Sequence, residues 1–140
     1  MNYGRYDRLT VPPLARETAL ILVRYINGAD RDTAREALRT LTQVSYIADV
    51  AVALALEFFR ASPPPPGVLV QRVSWKKIGV LTEHDEVVDA LANTIVAYSF
   101  SGDAEGVLIS VRQPLERGEP ATVTAALMVL ADAVRCVQAR

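Results

Sequence analysis

The stretch RDTAREALRTLTQVSYIADVAVALALEFFRA, residues 31–61, decides the fold that the sequence predicts. At about 100° per residue, its polar positions from Arg35 through Asp49 to Arg60 keep one direction around a helix, and the opposite face is apolar. We therefore expect one unbroken second helix over 31–61, about 45 Å long from the rise of an α-helix. A helix with so broad an apolar face is typical of the central element of a bundle.

Proline and glycine residues divide the rest of the chain into further apolar segments with a helical period. An early proline and a closing Asn-Gly pair predict a first helix over 13–27. The run SPPPPG at 62–67 predicts a stiff connector, because each proline fixes φ and lacks an N–H. Three more helices are expected after the connector, over 75–99, 104–113 and 120–138.

Several helix ends carry residues that favour capping. Asp30 or Asp32 is expected to cap the second helix and Asp103 the fourth. Thr82 resembles the start of a capping box, with Asp85 three residues later. Pro114 is expected to end the fourth helix, because a proline inside a helix removes a backbone hydrogen bond.

Five segments with mostly short loops predict an all-α fold, a single-domain antiparallel bundle over 1–140 in which 1–11 form a flexible N-terminal arm. Two runs stay open between helix and strand, 68–73 (VLVQRV) and 107–111 (VLISV). Helix is favoured for the first run, because a lone strand needs a partner and only the second run resembles one.

Composition excludes several classes of protein. A chain of 140 residues has the length of one typical domain. Its hydrophobic content of 51% excludes a disordered chain. The net charge of −1 disfavours nucleic acid as a partner, since phosphate binding needs a basic surface. No run reaches the ~18–20 apolar residues of a membrane span, and the polar start does not resemble a signal peptide. We therefore expect a cytoplasmic protein without a membrane partner.

The single cysteine and the single histidine limit the chemistry. A structural zinc site needs about four Cys or His ligands, so neither a metal site nor a cofactor is predicted. Cys136 lies in an apolar run and is expected to be a small buried residue. His84 lies among acids at a helix start, where a weakly held divalent cation and a merely solvated helix start both stay open. The sequence contains no phosphate-loop, dinucleotide-binding or nucleophile-elbow motif.

Two patterns on the second helix bear on function. Asp49 and Glu57 are about 80° apart around the helix, and paired carboxylates can perform acid–base chemistry. A solvated polar stripe accounts for the same two residues. A DNA-binding helix-turn-helix over 34–52 is disfavoured, because no glycine occurs at the turn position and the polar stripe runs through it.

Charges are segregated along the chain. Four basic residues and no acid occur from Arg60 to Lys77, whereas six acids and no Lys or Arg occur from Glu83 to Glu105. Tryptophan beside cations is common at interfaces. Either the basic segment binds a partner, or its tryptophan closes one end of the core; the two segments can also pair across a two-fold axis of a dimer. The candidate partner-binding residues are Arg72, Trp75, Lys76 and Lys77.

The apolar excess is concentrated in the second and last helices, and we expect it to exceed the area that five helices of one chain can cover. We therefore favour a non-enzymatic protein–protein interaction module that self-associates as a homodimer. A small-molecule-binding domain with an apolar pocket between helices is the alternative, and an enzyme with carboxylates in a bundle cleft is less favoured. The candidate self-association residues are Ala48, Ala51, Ala55, Leu127 and Leu130.

Overall fold

The computed structural model describes residues 5–64 and 72–140, and every regular element in these residues is helical. The all-α, single-domain bundle that the sequence predicts is confirmed, with seven helices in the described residues instead of about five. A short 3-10 turn, Tyr6–Arg8, comes first. The helices are α1 (Pro13–Asn27), α2 (Arg31–Arg39), α3 (Val44–Ala61), α4 (Trp75–Ile78), α5 (Glu86–Phe100), α6 (Ala104–Glu116) and α7 (Pro120–Gln138).

The first and last helices, α1 and α7, begin and end at the predicted residues. Each starts with a proline, whose missing N–H costs no intrahelical hydrogen bond at that position. Asp30 caps α2 by accepting a hydrogen bond from the backbone N–H of Thr33 at 3.2 Å. Asp103 caps α6 by accepting from the N–H of Gly106 at 2.9 Å.

The single long helix predicted over 31–61 is wrong, because α2 ends at Arg39 and α3 begins at Val44. Thr40 ends α2, and its hydroxyl donates to the carbonyl of Ala37 at 2.7 Å. The stripe that predicted continuity counts Ala53 and Glu57 as polar-face positions, whereas both are buried. The chain thus does form a helix, a turn and a helix here, and 12 of the 18 residues of α3 are buried.

The helix predicted over 75–99 is interrupted as well. α4 ends after one turn, where Gly79 adopts a left-handed conformation with φ of 107°. The next helix, α5, begins only at Glu86, and its cap is Asp85, which accepts from the N–H of Val88 at 2.9 Å. Thr82 therefore does not open a helix, contrary to the capping-box interpretation. It lies in a loop, 79–85, that is held by α7.

The fourth helix does not end before Pro114, as predicted, but continues through it to Glu116. Pro114 is buried, and the helix continues for only two residues after it. The missing N–H of the proline therefore removes a single backbone hydrogen bond, close to the end of the helix. The run 107–111 is therefore helix. Residues 68–71 of the run 68–73, and the end of the 62–67 connector, lie outside the described residues, and Arg72 and Val73 are in neither helix nor strand.

α3 and α7 form the centre of the bundle. α3 packs against α1, α5, α6 and α7, and α7 packs against every other helix of the described residues. Among those residues only α7 is long and apolar enough to cross a membrane by length and composition, and 61% of that window is buried inside the fold. Its apolar character on nearly every side is explained by its position among six other helices.

The described part of the predicted N-terminal arm packs against the bundle. The N–H of Arg5 donates to the carbonyl of Phe100 at 2.7 Å. The ring of Tyr6 lies between two core phenylalanines, with its centroid 4.8 Å from that of Phe59 and 5.8 Å from that of Phe100. These contacts close the end of the bundle where α3 and α5 terminate.

Candidate functional site

The five residues predicted to mediate self-association lie inside the bundle of one chain. None is more than 4% exposed. Side chains that the chain's own helices cover cannot contact a second copy, so a dimer would have to form through other residues. The homodimer itself stays a prediction. The five residues are Ala48, Ala51, Ala55, Leu127 and Leu130.

The candidate partner-binding residues divide between core and surface. Trp75 is 1% exposed, and its ring contacts Phe58 edge-on with the centroids 6.1 Å apart. The indole thus closes one end of the core, as the second interpretation of this segment expects. Arg72, Lys76 and Lys77 are exposed, and a guanidinium nitrogen of Arg72 donates to the carboxylate of Asp89 at 2.9 Å. Partner binding by the segment stays a prediction, and only its three exposed cations, not Trp75, are available for it.

The structure does not bring the two carboxylates of α3 together. Asp49 and Glu57 are about 12 Å apart along the helix axis, beyond the ~5–9.5 Å between paired catalytic carboxylates in glycosidases. Glu57 is buried and bonded to two arginines: Arg16, whose Nε donates to it at 3.4 Å, and Arg60. Asp49 is half-buried, and burial raises the pKa of its carboxyl. Neither residue therefore belongs to a fully solvated polar stripe, the other interpretation of this pair.

His84 and Cys136 do not assemble a reactive group. The imidazole is half-buried, with Nδ1 2.9 Å from the carbonyl oxygen of Thr82. Cys136 is buried, and burial raises the pKa of its thiol, which disfavours the nucleophilic thiolate. Within residues 5–64 and 72–140, no three His, Cys, Asp or Glu side chains lie close enough together to hold a metal ion.

Sequence reasoning missed Asp132, a fully buried carboxylate on α7. Its Oδ2 accepts from the N–H groups of Leu81 and Thr82 at 2.8 and 2.9 Å and from the Thr82 hydroxyl at 3.1 Å. Arg135 Nε donates to Oδ1 at 2.7 Å, and Arg31 Nη2 lies 3.5 Å from Oδ2. Burial raises the pKa of Asp132, but the hydrogen bonds outweigh burial, so this pKa lies below its ordinary value.

The consequence of these bonds is that loop 79–85 is fixed against α7. The only signal in the sequence is a lone acid within an apolar run, ALMVLADAV, which is typical of a buried and paired carboxylate. Because all of its donors except Arg135 come from residues about 50 and 100 positions away in the chain, the sequence pattern does not identify them.

An apolar pocket of about 280 Å³ lies where the turn between α2 and α3 meets the corner between α6 and α7. We name it the turn pocket. Two of its lining residues are polar, Arg39 and Thr124. Pro120 and Ala121 are exposed and form its mouth, while Leu127 and Ile47 are buried at its base. The remaining lining residues are Leu38, Leu41, Leu115 and Val123.

A smaller cavity of about 110 Å³ adjoins the turn pocket. The two share three lining residues, Arg39, Ala121 and Thr124. The smaller cavity adds polar groups, among them Arg35 and Glu83. We name it the polar annex. Its outer wall comes from loop 79–85, so the buried bonds of Asp132 hold that wall in place.

An open depression of about 780 Å³ lies beside loop 79–85. Its lining carries charges of both signs, the cation Lys76 and the acids Glu83 and Asp85. Leu81 lines it and is 70% exposed. The surface thus combines an exposed apolar side chain with a mixed charged rim.

Comparison with protein-family models, with curated proteins and with solved structures finds no significant match for this chain. The turn pocket, the polar annex and the open depression are therefore interpreted from their own geometry and chemistry.

Proposed function

We propose that this chain is a non-enzymatic binding protein that holds a small apolar molecule in the turn pocket. The observation that supports this function is a pocket of about 280 Å³ with eight apolar lining residues, open to solvent at one end. Ligand pockets are typically ~300–1,000 Å³, and this one is just below that range, which restricts it to a small ligand. At the ~30 Å³ that a water molecule occupies in the liquid, its volume suits about nine non-hydrogen atoms.

The chemistry of the lining favours an apolar occupant over water. A buried water needs two to four polar partners, and the base of the pocket, with Ile47 and Leu127, offers aliphatic groups instead. An apolar ligand gains dispersion contacts with these side chains and removes about 25 cal/mol of unfavourable hydration per Å² that it buries. The exposed mouth at Pro120 and Ala121 gives it access from solvent.

The test is a titration with 1-octanol, a neutral molecule of suitable size, followed by amide NMR of the labelled protein. We expect saturable shifts in the α2–α3 turn and the first turn of α7. Ala121→Phe should abolish them, because Ala121 is exposed at the mouth and the larger ring closes it without entering the core. Ala104→Phe is the matched control, since Ala104 is an exposed alanine in the first turn of α6 that lines none of the cavities described above. Shifts that do not saturate, or that persist in Ala121→Phe, would overturn the proposal.

A second proposed function is self-association as a homodimer, an interaction module in which the open depression of one copy meets that of another. The exposed Leu81 and Val87, 70% and 57% exposed, support it. Because the depression carries both Lys76 and the acids Glu83 and Asp85, two copies related by a two-fold axis can pair opposite charges here, and such pairs fix the orientation of a dimer. Cytoplasmic location remains the prediction made from the sequence.

A further inference from the structure

The turn pocket has a charged edge on one side only. Arg39 lines both the pocket and the polar annex, and Arg35 lines the annex. The two residues are four positions apart on α2, so their side chains leave the same face of the helix. An aliphatic chain seated in the pocket would thus end within reach of two guanidinium groups.

Both arginines have donors to spare for a ligand. Arg39 Nη1 donates to Glu36 at 2.8 Å and Arg35 Nη1 to Asp32 at 3.3 Å. The acceptor side chains are 68% and 98% exposed, and ion pairs of this exposed kind stabilise little. Each bond occupies one of the five N–H donors of a guanidinium, whose fork matches the two oxygens of a carboxylate.

Other groups around the annex also favour an anion. Thr124 lies between pocket and annex and brings a hydroxyl that can donate. Ala121 belongs to the first turn of α7, the positive end of that helix dipole, and the cap residue Glu119 makes no side-chain bond to it. Glu83 is the one acid that lines the annex, so two positive side chains face one negative one.

We propose that the ligand is an aliphatic carboxylic acid, with its chain in the turn pocket and its carboxylate in the polar annex between Arg35 and Arg39. This inference rests on the proposed binding function and adds the head group to it. The combined size of the two cavities, about 280 and 110 Å³, suits an acid of up to roughly eleven carbons at ~30 Å³ per non-hydrogen atom, so an eight-carbon acid fits.

Three probes with the same chain test the head group: octanoate, 1-octanol and octylamine, titrated at neutral pH by calorimetry and amide NMR. We expect octanoate to bind at least about fivefold more tightly than 1-octanol, and octylamine more weakly than either. Raising NaCl from about 50 to about 500 mM should weaken octanoate and leave 1-octanol unchanged, because salt screens exposed charges.

Variants separate the charge from the pocket. Arg35→Met keeps the aliphatic stem of a side chain that lines the annex but not the turn pocket, and it should reduce octanoate affinity about fivefold without changing that of 1-octanol. Glu83→Gln should increase octanoate affinity. Arg112→Met, at an exposed arginine of α6 that lines none of these cavities, should change neither. Equal affinities for octanoate and 1-octanol would overturn the proposal that the head group is a carboxylate, while the proposed binding of an apolar molecule would stand. If neither binds, both proposals fall.

Discussion

Asp132 gathers more tertiary hydrogen bonds than any other side chain in the described residues. Its carboxylate accepts from loop 79–85, from α7 itself through Arg135, and lies within 3.5 Å of Arg31 on α2. Since the residue is fully buried, water cannot replace a lost partner. The position of Thr82, and with it the wall of the polar annex, depends on one charge.

Asp132→Asn should lower the free energy of unfolding by about 3 kcal/mol, because the amide cannot accept all of these bonds and leaves buried donors and the half-buried Arg135 without a partner. Urea denaturation measures the change. Asp49→Asn is the matched control, since burial raises the pKa of Asp49 and its charge therefore does not stabilise the fold. Equal losses in the two variants would contradict this account of Asp132.

The two carboxyls also give opposite pH dependence. The pKa of Asp132 is lowered on folding, so its stabilisation is present above its unfolded pKa of about 3.9 and is lost as the pH falls through the folded value. The pKa of Asp49 is raised, so protonation of Asp49 in acid favours the folded state. Below about pH 4, Asp132→Asn should therefore lose less stability per pH unit than the unaltered chain.

At the scale of elements, the left-handed residue that closes α1 lies one position after its glycine. Gly28 has φ of −79°, whereas Ala29 takes the left-handed conformation with φ of 60°. The N–H of Asp30 donates to the carbonyl of Tyr25 at 2.8 Å and that of Ala29 to Ile26 at 3.0 Å, which is a Schellman closure. The left-handed position of this motif usually carries glycine, and here an alanine occupies it.

Ala29→Gly should therefore raise the free energy of unfolding by about 0.5–1 kcal/mol, as relief of a left-handed alanine outweighs the extra entropy of an unfolded glycine. Thermal denaturation measures it. Gly28→Ala is the companion variant, and it should not destabilise the chain, because the added Cβ would meet the Arg24 carbonyl oxygen at an ordinary 3.6 Å. A lower melting temperature for Ala29→Gly would show that the closure is not strained.

The sequence-based prediction was accurate where neighbouring residues determine an element and inaccurate where distant residues determine it. α1 and α7 were predicted to the residue, since Pro13 and Pro120 act where they stand. The turn after Arg39 was not, because threonine and glutamine are compatible with helix and the apparent stripe relied on residues that are buried. Loop 79–85 depends on Asp132, about 50 positions away. The turn pocket is formed in part by the turn between α2 and α3, and because that turn was not predicted, the position of the pocket was not predicted either.

At the scale of the whole molecule, the apolar faces of α3 and α7 that first favoured a dimer are covered by the other helices. What remains exposed among the described residues is a small set of large apolar side chains, Leu14, Leu81, Val87, Tyr98 and Ile109. Leu81 lines the open depression together with its mixed charges, and Val87 lies six positions later in the chain, beside Val88, which also lines it. In the described residues, the open depression therefore offers self-association a surface that combines apolar area with charges of both signs.

If that surface pairs two copies, sedimentation at micromolar concentration should give twice the 15.3 kDa of one chain. Leu81→Glu should reduce the mass to that of one chain, because burying a carboxylate without a partner in the interface is costly. Leu14→Glu is the control, since Leu14 is 63% exposed on α1, away from the depression, and the variant should remain dimeric. A single-chain mass for the unaltered protein, or loss of the dimer in both variants, would remove this surface as an interface and leave ligand binding in the turn pocket as the function to test.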